Sequence, residues 1–197
     1  MNFTVSENTN RYKNKIITIP NILSLFRLCL IPVIVWLYCF EKEYLWTTIV
    51  FIISGLTDIV DGFIARRFDM ISDFGKAFDP VADKLTQIAM LFCLVTRFKL
   101  MLVPLVILIL KELLAATMNM ITLEKAGFVV AAVWHGKMNT VLLYITMFIH
   151  IVWFEIPVQV SNILIIICII MMLVSATLYT ISDVKAIKKE SSKKQKI

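Results

Sequence analysis

TDIVDGFIARRFDMISDFGKAFDPVADK, residues 57–84, places six aspartates beside or inside long apolar runs. A carboxylate there loses hydration, so it needs a partner, a metal or water to offset the cost, and an ionisable residue in a membrane span marks a functional site by default. Four of the six stand at helical offsets. Asp58 and Asp61 are three apart and Asp79 and Asp83 four apart. Each pair therefore shares a helix face, and the two pairs converge if their helices form a hairpin. At 100° per residue, Asp58, Asp61, Gly62, Ala65 and Arg66 share one broad face. Gly62 and Ala65 leave room for a ligand near the backbone, and the Arg66 guanidinium suits bidentate contact with a phosphate.

The rest of the chain explains where such a cluster sits. It has 197 residues, 59% of them hydrophobic, a mean hydropathy of +0.85 and several apolar runs near the ~20 residues that cross a bilayer. These features exclude an ordinary soluble core and predict an all-α integral membrane protein of six transmembrane helices. The spans fall at about 20–40, 44–66, 79–98, 101–123, 138–154 and 157–179. Residues 1–19 carry Arg11, Lys13 and Lys15 but no hydrophobic region, so no cleavable signal peptide is expected there. They read instead as a short N-terminal cytoplasmic or interfacial segment. Residues 20–186 form the membrane domain, and the lysine-rich end, 187–197, reads as a basic disordered tail.

The net charge of +6 invites a nucleic-acid reading, but membrane proteins concentrate Lys and Arg on the cytoplasmic side. With six spans, fourteen of the 20 cations fall on the side that holds both termini and the 66–76 loop, and only Lys42, Arg97 and Lys99 on the other. Both termini and the aspartate cluster are thus expected at the cytoplasmic face of the cell membrane, with no nucleic acid as partner. Cys29, Cys39, Cys93 and Cys168 are scattered through apolar runs without metal-ligand spacing and read as small core residues. His135 reads as interfacial and His150 as a satisfied buried histidine.

Carboxylates without histidine or thiolate suit a hard divalent cation, Mg²⁺ or Mn²⁺, and such ions usually bind through a few carboxylates plus a substrate phosphate. Four aspartates are better balanced by two ions than by one, and a two-metal clamp suits displacement at phosphorus. One aspartate bordering the ions is a candidate general base, and spacing alone does not select it. Asp69 and Asp73, placed in the loop, read as helix-capping or interfacial groups.

The chain resembles the CDP-alcohol phosphotransferase family, whose signature D-x2-D-G-x2-A-R-x8-G-x3-D-x3-D is matched by Asp58, Asp61, Gly62, Ala65, Arg66, Gly75, Asp79 and Asp83. PNILSLFR, residues 20–27, is similar to the usual start of that family's first helix. The resemblance implies two metal ions, one on Asp58, Asp61 and Asp79, the other on Asp58, Asp79 and Asp83, with Asp83 also the catalytic base. It implies that Asn21, Gly62, Ala65, Arg66, Ser72 and Gly75 form the CDP-alcohol site, and that the protein is a homodimer.

Within the family the chain is most similar to the bacterial phosphatidylglycerophosphate synthases, which implies transfer of the phosphatidyl group of CDP-diacylglycerol to glycerol 3-phosphate with release of CMP. Lys111 and Lys137 are the candidates for the acceptor phosphate, with Lys125 and His135 beside them in sequence. GKMNT at 136–140 and SGLTDIVDGFIAR at 54–66 also resemble the family's cardiolipin synthases, whose acceptor is phosphatidylglycerol. Outside enzymology, the carboxylates suit a divalent-cation channel or carrier, and the basic tail suits a scaffold on anionic lipid. Neither of these uses needs Gly62, Ala65 and Arg66 beside the aspartates.

Overall fold

The computed structural model describes residues 18–68, 72–126, 134–153 and 155–194. The chain divides into two compact units, Met1–Thr96 and Arg97–Ile197. All regular structure among the described residues is helical.

The first unit holds α1 (Ile19–Val35), which widens into a π-helical turn (Trp36–Glu41), then α2 (Tyr44–Arg67) and α3 (Asp73–Val95). Thr18 caps α1 by accepting the Asn21 N–H, and Pro20 stands in the first turn, where its missing N–H costs nothing. Pro32 lies inside α1, where it removes a ladder hydrogen bond, and the wide turn begins four residues later. Lys42 ends that turn in the left-handed region, φ 55°.

Helix α1 packs on both α2 and α3 and is inverted with respect to an ordinary amphipathic helix. Its buried face is Pro20, Asn21, Ser24, Arg27 and Ile34, while Ile19, Ile22, Leu25, Phe26 and Val33 face outward. A polar face turned inward and an apolar face turned outward is the pattern of a helix in lipid with a site on its protected side.

In the second unit a 3-10 turn (Lys99–Met101) leads into α4 (Leu102–Ala126), followed by α5 (Trp134–Val152) and α6 (Val158–Lys194). Helix α6 packs against α4 and α5, with Leu105, Leu108, Leu143, Met147, Ile165 and Met172 buried. His150 is buried as expected. Its Nδ1 lies 2.7 Å from the Thr146 carbonyl, its Nε2 2.9 Å from Ser161 Oγ, and its ring meets Phe98 edge-on at 4.9 Å.

The all-α membrane class stands, and the individual spans differ from the expectation in detail. Among the described residues, four segments are long and apolar enough to cross a membrane: Ile19–Glu41, Tyr44–Ala65, Lys99–Met118 and Val158–Leu178. The fifth expected span has a shorter apolar stretch, Met138–Val152, about 22 Å at 1.5 Å per residue. The third, expected from residue 79, begins at Asp73, because Ser72 caps it by accepting the Gly75 N–H at 2.9 Å. Asp73 is therefore the first residue of α3 and not a loop residue, and the polar first turns of α3 dilute its hydropathy.

At the C-terminus α6 continues to Lys194, past the boundary at 186. Residues 179–194 include five Lys, a residue that favours helix, and contain neither Pro nor Gly. The interfacial segment expected over 1–19 lies, up to residue 17, outside the described residues, as does Asp69.

Candidate active site

The inward face of α1 is the floor of the site. Arg27, about two turns inside the helix, is 1% exposed. Its Nη2 donates to Asp58 Oδ1 at 2.7 Å and to Asp61 Oδ2 at 2.6 Å. One guanidinium nitrogen thus joins the two carboxylates that α2 sets on a single face. Charge-assisted hydrogen bonds of this length are the strong ones, and in so buried a place they hold geometry firmly. The two carboxylates differ in access: the Asp61 side chain is 4% exposed and the Asp58 side chain 46%.

Helix α3 brings the second pair to the same floor. Asp79 accepts a short hydrogen bond from the hydroxyl of Ser24, which also lies 3.0 Å from the Pro20 carbonyl. Asp83 accepts from Gln87 Nε2 at 2.9 Å, one turn along its own helix. The charges of Asp79 and Asp83 reach Asp58, and those of Asp58 and Asp79 reach Asp61. The four aspartates singled out by spacing are therefore electrostatic neighbours across α2 and α3.

A third contact closes the start of α3 onto α1. Asn21 Nδ2 donates to Ser72 Oγ at 3.0 Å, and the same Ser72 oxygen takes the Gly75 N–H. A Cβ on Gly75 would collide with Asn21 Oδ1 and stand 3.1 Å from Ser72 Oγ. Glycine is thus required by the close approach of α1 to the first turn of α3. Asn21, Ser72 and Gly75, distant in sequence and all expected at the CDP group, form one buried knot.

Gly62 and Ala65 are half-buried on α2. The side chains of Arg66 and Lys137 lie outside the described residues. Lys111, on α4, is paired with Glu112 at 3.3 Å.

Ser24, Arg27 and Gln87 escaped the reading of the motif. Arg27 carried a usable signal, since a cation inside an apolar run must find an anion, and two aspartates were its natural partners. Ser24 and Gln87 carried none, because nothing in the spacing says which face of α1 meets α3.

The donor set fits a hard divalent cation: four carboxylates, no histidine and no thiolate, with Asp58 open to solvent. Among the described residues no three acidic, histidine or cysteine side chains converge closely enough to enclose an ion as they stand. Their oxygens are engaged by Arg27, Ser24 and Gln87 instead.

These features define a class: a helical membrane protein with a polyaspartate site built between α1, α2 and α3. Residues 17–184 match the model of the CDP-alcohol phosphatidyltransferase family, and the chain belongs to that family, which is generally dependent on divalent metal.

Among curated relatives, a CDP-diacylglycerol–glycerol-3-phosphate 3-phosphatidyltransferase of Bacillus subtilis (strain 168) is 38% identical over 136 residues, 62% of this chain and 70% of the relative. One of the same name from Wigglesworthia glossinidia brevipalpis is 34% identical over 107 residues, 52% of this chain and 59% of the relative. A cardiolipin synthase (CMP-forming)/mitochondrial hydrolase fusion protein of Schizosaccharomyces pombe is 39% identical over 85 residues, 43% of this chain and 14% of the fusion. The chain thus spans less than two thirds of the length of the last two.

Proposed function

We propose that the protein transfers the phosphatidyl group of CDP-diacylglycerol to the hydroxyl of glycerol 3-phosphate and releases CMP. The observation that carries this reading is that the buried face of α1 binds Asp58 and Asp61 of α2 through Arg27 and Asp79 of α3 through Ser24. The names of the Bacillus subtilis and Wigglesworthia glossinidia relatives support the choice of acceptor.

In this reading the acceptor oxygen attacks the phosphorus that bears the lipid, the bond from that phosphorus to the CMP oxygen breaks, and CMP leaves. No covalent enzyme intermediate forms. Asp83 takes the proton of the attacking hydroxyl, with the Gln87 amide orienting its carboxylate. Asn21, Ser72 and Gly75 shape the nucleotide side together with Gly62, Ala65 and Arg66. Asp58, Asp61, Asp79 and Asp83 would hold two divalent ions, Mg²⁺ or Mn²⁺, whose chemistry is to neutralise the diphosphate charge. Lys111 and Lys137 are the residues proposed for the acceptor phosphate.

The excess of Lys and Arg on the aspartates' side of the membrane supports a cytoplasmic site, where a soluble acceptor is available. Against a divalent-cation channel stands Arg27, because a guanidinium joined to two carboxylates opposes cation passage.

The experiment is incubation of purified protein with CDP-diacylglycerol, Mg²⁺ or Mn²⁺, and labelled glycerol 3-phosphate or phosphatidylglycerol in separate arms. Label in phosphatidylglycerophosphate is the expected outcome. Label only in cardiolipin would reassign the acceptor, and absence of CMP from every arm would reject the enzyme.

A further inference from the structure

Arg27 is more than a structural cation. Its Nη2 lies between Asp58 Oδ1 and Asp61 Oδ2, at 2.7 and 2.6 Å, where a cation shared by the two residues would sit. Its other two nitrogens, Nε and Nη1, are buried and have no hydrogen-bond partner among the described residues. A guanidinium in a purely structural role satisfies most of its five N–H groups, since each buried one left unmade is costly. Here one nitrogen makes both bonds, so Arg27 is held mainly by the charge of the two aspartates.

We infer that Arg27 is the resident counter-cation of the Asp58–Asp61 pair, occupying the carboxylate oxygens that a divalent ion must compete for. The inference rests on the metal-dependent reading above and adds a positioning residue that sets metal affinity. Three consequences follow from charge and geometry. Arg27 stabilises the buried Asp61 carboxylate when no ion is bound. It lowers the affinity of the pair for a divalent ion. And when an ion binds, the guanidinium gives up at least one carboxylate, which frees donors beside the site.

The test measures Mn²⁺ binding by electron paramagnetic resonance, and thermal unfolding with EDTA or Mn²⁺, on full-length protein in detergent for wild type, Arg27→Met and Arg27→Lys. Arg27→Met should bind Mn²⁺ about tenfold more tightly than wild type or better, because a competing unit charge is gone. It should also unfold at lower temperature than wild type in EDTA and recover most of the difference in Mn²⁺. Arg27→Lys, which keeps the charge, should stay within about threefold of wild type in affinity.

Equal or weaker Mn²⁺ binding by Arg27→Met would overturn the inference, since it would make Arg27 a bystander or a support for the ligands. If wild type bound no Mn²⁺, both this inference and the metal reading would fail, an outcome distinct from the first. A measurement on wild type does not depend on the variants folding. The ¹⁵N guanidinium resonance of Arg27 should move on saturation with Mg²⁺, and an unmoved signal would overturn the inference equally.

Discussion

Gly75→Ala is the substitution whose outcome is most constrained by the structure, because two effects of known sign oppose each other. Inside a helix Ala is favoured over Gly by about 1 kcal/mol, and Gly75 is in the first turn of α3. Against this, the new Cβ collides with Asn21 Oδ1 and crowds Ser72 Oγ at 3.1 Å. Relief requires the Asn21 amide to move. That forfeits its 3.0 Å bond to Ser72, about 1 kcal/mol, and disturbs the Ser72 cap on the Gly75 N–H, worth about 0.5–2 kcal/mol. The net is a destabilisation of about 0.5–2 kcal/mol, or a fall of roughly 1–8 °C in the midpoint of thermal unfolding.

The assay is thermal unfolding in detergent of wild type, Gly75→Ala, Asn21→Ala and the double variant. With the Asn21 amide gone the collision is gone, so Gly75→Ala in that background should be neutral or stabilising. A coupling of about 0.5–3 kcal/mol between neighbours in contact is the expected result. A Gly75→Ala variant more stable than wild type, or one costing the same in both backgrounds, would refute the close approach of α1 to α3.

Other substitutions test the neighbouring contacts. Asp83→Asn should lose turnover by about 10²-fold or more while CDP-diacylglycerol still binds, whereas Asp58→Asn should lose metal and nucleotide together; equilibrium binding beside CMP release separates them, and normal turnover by Asp83→Asn would remove it as the base. Ser24→Ala deletes the donor to Asp79 and should lower kcat by about tenfold with a change of no more than about 1.5 kcal/mol in stability, as followed by steady-state kinetics and thermal unfolding. His150→Leu strands the buried Ser161 hydroxyl and should cost about 1–3 kcal/mol, with part returned by Ser161→Ala in the same chain.

Residue patterns revealed most of the chain because two physical rules are strong. Long apolar runs bounded by charge placed α1 with its π-helical turn (Ile19–Glu41) and α2 within about two residues of their observed ends, since lipid-facing helices cannot hide polar interruptions. Spacing of three and four put the carboxylates on common faces, and the structure keeps them there. The start of α3 was hidden because Asp73 and Lys76 read as loop, while one serine, Ser72, supplied the cap that allowed the helix to begin.

The floor of the site was hidden for another reason. Asn21, Ser24 and Arg27 meet residues 51, 55 and 34 positions away in sequence, and period alone does not tell which helix they meet. What betrays α1 is its inversion: a run of high hydropathy whose only polar residues fall on one face. A lone Arg27 in such a run is a pointer to its partner carboxylates, and that pointer was readable before any coordinates.

In the proposed function Asp58, Asp61, Asp79 and Asp83 act together as the seat of a metal-dependent phosphatidyl transfer. The most direct measurement is CMP release from CDP-diacylglycerol with glycerol 3-phosphate, in Mg²⁺ or Mn²⁺ and then in excess EDTA, for wild type and for each single Asp→Asn variant confirmed helical by circular dichroism. The account predicts release by wild type, none in EDTA, and a loss of about 10²-fold or more in each of the four variants. A folded variant at any of the four positions that released CMP at the wild-type rate, or release undiminished by EDTA, would contradict it.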